Sequence, residues 1–250
     1  RVSAAGALAP SFNPSPNSVV FSMASQADGR ILLGGDFTTL GAIARGRVAR
    51  VDANGALDAS FDPNANDTVY NVALQADGRV LVGGKFTTMG GVARNLYARI
   101  QNDPASQALS ATSGAVTWTR GGSAPEVSQV IFETSTNGGA TWNAIGRGTR
   151  IGSTPNWQLT GLAFSGNGQL RARGRTTSGA YNGGAGLVEL LISYALVPEI
   201  SVGGNNVDIA DGNTTPALAD HTDFGSAAVV GGSVVRTYAI KNAGSVDLSV

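Results

Sequence analysis

Two short apolar runs occupy the same setting in the first hundred residues. Ile31-Leu32-Leu33 and Val80-Leu81-Val82 each follow Ala-Asp-Gly-Arg and each end in Gly-Gly. A continuous apolar run of this length, bounded by turn residues, reads as a strand buried on both faces. Ahead of the second run, Val69-Tyr70-Asn71-Val72-Ala73-Leu74 alternates with period 2, the pattern of a strand with one covered face. Ala76-Asp77-Gly78 is the hairpin turn between them, because Asp and Gly tolerate the positive φ a tight turn needs. The glycine pairs Gly34-Gly35 and Gly83-Gly84 end each run where a side chain would obstruct a close neighbour. A loop then leads to a third strand over 95–100. In the first copy Asn54-Gly55 turns the chain into a fourth strand over 56–61.

The two settings are one pattern used twice. Residues 11–59 and 60–108 align at a 49-residue offset without insertion or deletion, with 24 identities in 49 positions. A fixed period of this size marks units that bury their apolar faces against each other. Four strands in 40–50 residues fits a β-propeller blade better than a helical or leucine-rich repeat. The motif Ala-Asp-Gly-Arg, apolar run, Gly-Gly, Phe-Thr, Ala-Arg, Asn-Gly-x-Leu-Asp-x-Ser-Phe resembles the delta-60 repeat, a propeller-type repeat of large bacterial surface and secreted proteins. The resemblance covers residues 1 to about 108. Arg1 to Phe12 align with Arg50 to Phe61, agreeing at eight of twelve positions, so the chain is expected to begin inside a unit, with any targeting segment upstream. In the second unit Gln101-Asn102-Asp103-Pro104 replaces Asp52-Ala53-Asn54-Gly55; the hairpin signal is lost and the chain is leaving the array.

Beyond it the texture changes. Ala115-Val116-Thr117-Trp118, Gln129-Val130-Ile131-Phe132-Glu133, Trp157-Gln158-Leu159 and Gln169-Leu170-Arg171-Ala172-Arg173 read as strands between Gly, Ser and Asn turns, the spacing of a β-sandwich. This segment resembles the fibronectin-III-like module that follows delta-60 repeats. Pro198-Glu199-Ile200-Ser201-Val202, Asp223-Phe224-Gly225 and the run Val234 to Gly244 resemble the start of the Ig-like domain of choice-of-anchor-D proteins, related to the spindle/Hydin class. The expected organisation is all-β. It comprises two propeller-blade-like four-stranded repeats within 1–108 (11–59 and 60–108), a sandwich over 109–196, and the N-terminal part of an Ig-like sandwich over 197–250.

Composition agrees with strands and tight turns, with 35 Gly and 14% charged residues. Net charge is zero, divided as +1 over 1–109 (nine Lys/Arg, eight Asp/Glu), +3 over 110–197 (six, three) and −4 over 198–250 (two, six). No segment has the basic footprint of a nucleic-acid binder, and no apolar run reaches the ~20 residues of a membrane helix. The chain has no cysteine, so it forms no disulfide and no thiolate metal site. A cysteine-free, Asn/Thr/Gly-rich β-protein suits a bacterial surface.

The candidate chemistry reduces to scaffold. Ser135-Thr136-Asn137-Gly138-Gly139-Ala140-Thr141-Trp142 fits the Asp-box pattern of sialidase-like propellers, a hairpin in which Asn caps backbone, Gly takes positive φ and Trp packs beneath. Glycoside hydrolysis needs a placed acid pair, and Glu126, Glu133 and Glu189 are the acids of this module. Arg171, Arg173 and Arg175 share one strand face, either a basic stripe for an acidic glycan or, as three charges favour, a solvated face paired across strands with Glu. Asp208-Ile209-Ala210-Asp211-Gly212-Asn213 lacks the ligand alternation of an EF-hand and reads as a polar turn. His221 is the sole histidine, which excludes a Ser/His/Asp set, and Gly146-Arg147-Gly148 reads as a turn with no helix behind it to bind phosphate. Asp28/Asp77, Arg30/Arg79, Arg45/Arg94 and Arg50/Arg99 recur and so serve the unit. The divergent pairs Asp36/Lys85, Gly46/Asn95, Arg47/Leu96 and Val48/Tyr97 mark where a partner would be read.

These readings predict no catalytic, cofactor-binding or metal-binding residues and no enzyme activity. They predict a secreted or cell-surface scaffold or spacer for adhesion, with an extracellular protein or glycan and neighbouring repeats as partners, and no membrane insertion in this segment. The alternative is an accessory region of an extracellular carbohydrate-active enzyme. Without a preceding blade, Val19-Val20-Phe21 and Ile31-Leu32-Leu33 are expected to be partly exposed and to drive association.

Overall fold

The structure, a computed structural model, describes residues 5–163, 166–176, 186–196, 200–210, 213–227 and 230–242. Among them every regular element is a strand. In the first repeat β1 (Val20–Ser25), β2 (Ile31–Gly35) and β5 (Val48–Val51) form an antiparallel sheet in that order, and β3 (Thr39–Leu40) pairs with β4 (Ile43–Ala44) in a separate ribbon. The second repeat duplicates this arrangement. Its sheet is β6 (Val69–Leu74), β7 (Val80–Gly84) and β10 (Tyr97–Ile100), and its ribbon is β8 (Thr88–Met89) with β9 (Val92–Ala93). The match extends to irregularities. Val20 faces Gly35 and Ser22 faces Gly34 across a bulge, as Val69 faces Gly84 and Asn71 faces Gly83. Both turn glycines, Gly29 and Gly78, have the positive φ that the Asp-Gly signal requires.

The fourth strand is present only as a trace. In the first repeat Leu57 makes a single bridge to Val51, and Asp58 N–H donates to Arg50 O at 2.9 Å. Side-chain bonds from Asp58 to its own neighbour Ser60 curl the segment before a ladder can extend.

The repeats share one core. Leu32 and Val48 of the first pack with Phe61, Val69, Val72, Val80, Val82 and Phe86 of the second. Gly34 makes this possible: a Cβ there would lie 2.8 Å from Val69 Cγ1 and 2.9 Å from Val72 Cγ1. Ser22 Oγ accepts from Val72 N–H at 3.1 Å, a polar pin inside the apolar contact. The other face of the first repeat has its own cluster, Leu33, Phe37, Leu40, Ala49 and Val51, against which Phe12 and Leu57 pack. This corrects the expected exposure of Leu32 and Leu33. Leu32 is covered by the second repeat and Leu33 by its own repeat's Phe12 and Leu57, whereas Val19 and Phe21 are exposed.

The chain divides into two compact units. One comprises residues 1–110, 116–159 and 169–192; the other comprises 111–115, 160–168 and 193–250. The first contains the repeats and most of two four-stranded sheets. One sheet holds β11 (Ala105–Ala111), β12 (Ala115–Gly122), β16 (Trp157–Thr160) and β15 (Thr149–Arg150). The other holds β14 (Asn143–Arg147), β13 (Val127–Ser135), β17 (Gly166–Thr176) and β18 (Leu187–Leu196). Trp118, fully buried on β12, lies against Gly174 of β17, where a Cβ would come within 2.9 Å of the indole. The two sheets thus face each other as a sandwich, the pattern its alternating strands announced. Gly146-Arg147-Gly148 is not the expected turn. Gly146 and Arg147 end β14, and Gly146 sits at φ +156°, a backbone conformation that other residues rarely adopt.

In the second unit, β19 (Ile200–Gly204) pairs with β20 (Val207–Ile209) and β21 (Tyr238–Asn242). The β19–β20 hairpin turns through Asn205 and Asn206, both at positive φ. Within the run from Val234 the strand covers Tyr238–Asn242, and Pro198 and Glu199 lie outside the described residues.

Candidate functional site

The sandwich is joined to the first repeat by main chain. Glu126 N–H donates to Ser25 O at 2.8 Å, Ala27 N–H to Ala124 O at 2.8 Å and Asp28 N–H to Gly122 O at 3.1 Å, and Gln26 bridges Pro125. Arg120 holds that segment from within, donating to Pro125 O at 2.6 Å with its guanidinium 4.6 Å over the Trp118 ring. Burial pushes the Arg120 guanidinium down to about 10, the Glu126 carboxylate pulling it up and Arg150 down, so it stays charged at neutral pH.

Beside the junction lies a cleft of about 470 Å³. Phe12, Met23 and Ile31 of the first repeat line it, together with Glu126, Arg150 and Pro155 of the sandwich. Gln26 lines it too. This side chain is 1% exposed, and neither its amide oxygen nor its nitrogen has a hydrogen-bond partner. Glu126 is not a free acid there. It pairs with Arg150, which also donates to Val127 O at 2.8 Å and stacks 4.7 Å over Trp157. The walls suit an apolar group, and an amide can both donate and accept.

A second constellation ties the repeats together. Arg50, with a side chain 3% exposed, meets Asp58 at 2.7 Å and Asp103 at 3.0 Å, accepts no solvent contact of note, and covers the Phe61 ring at 4.9 Å. Arg30 reaches Asp28 at 3.2 Å and the same Asp103 at 2.9 Å. Arg45 pairs with Asp62 at 3.1 Å. The scaffold reading of the recurring arginines holds in the first repeat, but in the second Arg94 and Arg99 are exposed. The carboxylates of Asp62 and Asp103 lie in the second repeat's sequence yet neutralise arginines of the first.

Burial raises the Asp58 carboxyl, but hydrogen bonds from Ser60 and Arg50 outweigh it and hold it at about 2, below the ordinary 3.8. A carboxyl depressed on folding stabilises the native state above its unfolded pKa and stops doing so as pH falls through its folded one. About 2 kcal/mol should therefore disappear between pH 4 and pH 2. Asp58→Asn should flatten that part of the stability curve, measured by urea denaturation across the range.

The divergent pairs cluster at the repeat interface. Gly46 is required because a Cβ would stand 2.1 Å from Asn64 Oδ1, and Ala65 N–H donates to Gly46 O at 2.9 Å. Arg47 donates to Ala65 O at 3.2 Å, and Asp36 accepts from Thr68 Oγ1 at 2.8 Å. Val48 is buried. Their counterparts Asn95, Leu96, Tyr97 and Lys85 are exposed, with Lys85 5.8 Å over the Tyr70 ring.

The Asp-box segment is the expected turn. Asn137 Oδ1 accepts from Thr141 N–H at 2.9 Å, Ser135 Oγ accepts from Gly139 N–H at 2.9 Å, and Gly138 and Gly139 have positive φ. Trp142 lies half-buried beneath Arg171 at 4.1 Å. The arginine stripe is paired across strands: Arg171 with Glu133 at 2.8 Å and Arg173 with Glu189 at 2.6 Å, leaving Arg175 exposed. Asp208 lies on β20 and His221 is at positive φ, while Asp211 and Gly212 fall outside the described residues. Among the described residues no group of three His, Cys, Asp or Glu could hold a metal, and no helix is long and apolar enough to cross a membrane.

Gln26 and the Arg120–Pro125 strap were not singled out in the sequence. The identity Gln26/Gln75 was visible, but whether an amide finds a partner depends on packing from residues a hundred positions away.

A sequence-family model matches two segments of this chain. The sequence model described as Domain of unknown function (DUF5122) beta-propeller matches residues 26–61 and 75–103. No curated protein and no solved structure matches it. The matched segments begin one repeat period apart, at the two Gln-Ala-Asp-Gly-Arg turns, and over them this all-β chain is similar to a beta-propeller family.

Proposed function

We propose that this chain is a non-enzymatic interaction scaffold within a secreted or cell-surface bacterial protein, its repeats of delta-60 type, its sandwich fibronectin-III-like and its last segment the start of a choice-of-anchor-D Ig-like domain. The observation that carries the reading is where the charges go. In the first repeat and the sandwich, Arg30, Arg45, Arg50, Arg150, Arg171 and Arg173 are all spent on intramolecular carboxylates. A general acid in glycoside hydrolysis needs a raised pKa, which a paired arginine opposes. The beta-propeller match over parts of both repeats is consistent with a non-catalytic repeat region.

Two measurements test it. Antibodies raised against this segment should label intact cells or culture supernatant of the source bacterium; signal confined to lysed cells refutes the location. Assays with aryl glycosides and sialosides should show no turnover. Turnover that disappears on Glu133→Gln would overturn the non-enzymatic reading, because Glu133 is the carboxylate beneath the Arg171–Trp142 stack.

A further inference from the structure

In the first repeat the chain docks one of its own turns, and the grip is explicit. Asp58-Ala59-Ser60-Phe61-Asp62 leaves the outer edge of β5 at the Leu57–Val51 bridge and the Asp58 N–H bond to Arg50 O, and then turns, with Phe61 N–H donating to Asp58 O at 3.4 Å. Arg50 holds Asp58 and covers the Phe61 ring. Arg45 donates to Ala59 O at 3.3 Å and to Asp62 at 3.1 Å. Two arginines five residues apart thus clamp a turn whose two carboxylates bracket an aromatic ring.

The second repeat carries the same clamp without the segment. Arg94 and Arg99 stand at the equivalent positions, and among the described residues β10 pairs with β7 alone. Arg94 keeps the posture of its counterpart, donating to Ala93 O at 2.8 Å as Arg45 donates to Ala44 O at 3.0 Å. The counterparts of Asp58 and Asp62 are Gln107 and Ala111, and residues 105–111 belong to β11 of the sandwich. Among the described residues neither Arg94 nor Arg99 has a carboxylate within ion-pair distance. Asp77, whose charge interacts with Arg99, is paired with Arg79 at 2.6 Å. Leu96 and Tyr97, 61% and 57% exposed, supply apolar surface beside the clamp.

We propose that the β10 edge between Arg94 and Arg99 is a docking site for a short polypeptide turn carrying two carboxylates around a large apolar residue, the chemistry of Asp58–Asp62. The edge supplies main-chain groups for the first residues of the turn and the arginines supply charge-assisted hydrogen bonds. The preset Arg94 lowers the ordering cost.

The test titrates the full chain with a synthetic octapeptide of the sequence of residues 57–64, followed by calorimetry and NMR. Saturable binding is expected on the order of 100 µM, weakening as salt rises. Binding should fall about tenfold or more with the peptide's two Asp changed to Asn, and likewise with Arg94→Ala/Arg99→Ala. Arg175→Ala, at an exposed arginine of β17, should leave it unchanged. Both arginines are exposed, so the double variant should melt with the parent. No binding, equal binding of the Asn peptide, or an unaffected double variant overturns the proposal. So does a heparin-derived oligosaccharide binding through these arginines while the peptide does not, which would make the clamp a glycan site.

Discussion

Arg50→Ala should lower stability by about 3–5 kcal/mol, the cost of removing one partner from a buried charged cluster, and Arg99→Ala by less than about 0.5 kcal/mol. The two arginines occupy the same position of the same repeat. Arg50 is nearly sealed from solvent between Asp58, Asp103 and the Phe61 ring, so its loss leaves Asp58 in a covered site without its main counter-charge and uncovers an aromatic face. Arg99 is exposed and closes nothing. For a chain of this length the first variant should melt roughly 10 °C or more below the parent and the second with it. Equal effects would mean that the crossing of charges from the second repeat to the first carries no stability.

Gly34→Val should cost about 3 kcal/mol, whereas Gly83→Val should be neutral or slightly stabilising. Valine is a better strand residue than glycine at both sites, so propensity alone predicts a gain twice. At Gly34 the new side chain must enter space held by Val69 and Val72, buried residues of a strand that is itself packed on the first repeat. At Gly83 the nearest atom to an added Cβ is Leu96 O at 4.0 Å. Denaturant midpoints of the two variants measure the difference directly. A loss at Gly83 matching that at Gly34 would show a neighbour over the second repeat's outer face.

The contrast between these glycines shows what the sequence could and could not tell. The 49-residue period, the Asp-Gly hairpins and the sandwich strands from Val116 to Leu170 were all legible, because they depend on local turn chemistry and alternation. The paired glycines were legible as a motif, but only Gly34 meets an obstructing neighbour from another repeat; at Gly83 the same letters face open space. The fourth strand was over-read because Asn54-Gly55 promises a hairpin, and the Asp58–Ser60 side-chain bonds that curtail it compete with the ladder. The cleft was illegible: Gln26, Glu126 and Arg150 are far apart in sequence and meet only where the sandwich bonds to the first repeat.

Because the first repeat leaves three of its arginines to be neutralised in part by residues that follow it, the order of the two units is itself encoded. A duplicated 49-residue block is not interchangeable with its sibling. Exchanging 11–59 with 60–108 would set Asn95 where only Gly46 admits the neighbouring chain, and would put Gln107 where Arg50's counterpart needs a carboxylate. Any gene rearrangement that shuffles such blocks must therefore carry along the acidic stretch downstream, so the heritable unit is longer than the sequence period and begins inside one repeat and ends inside the next.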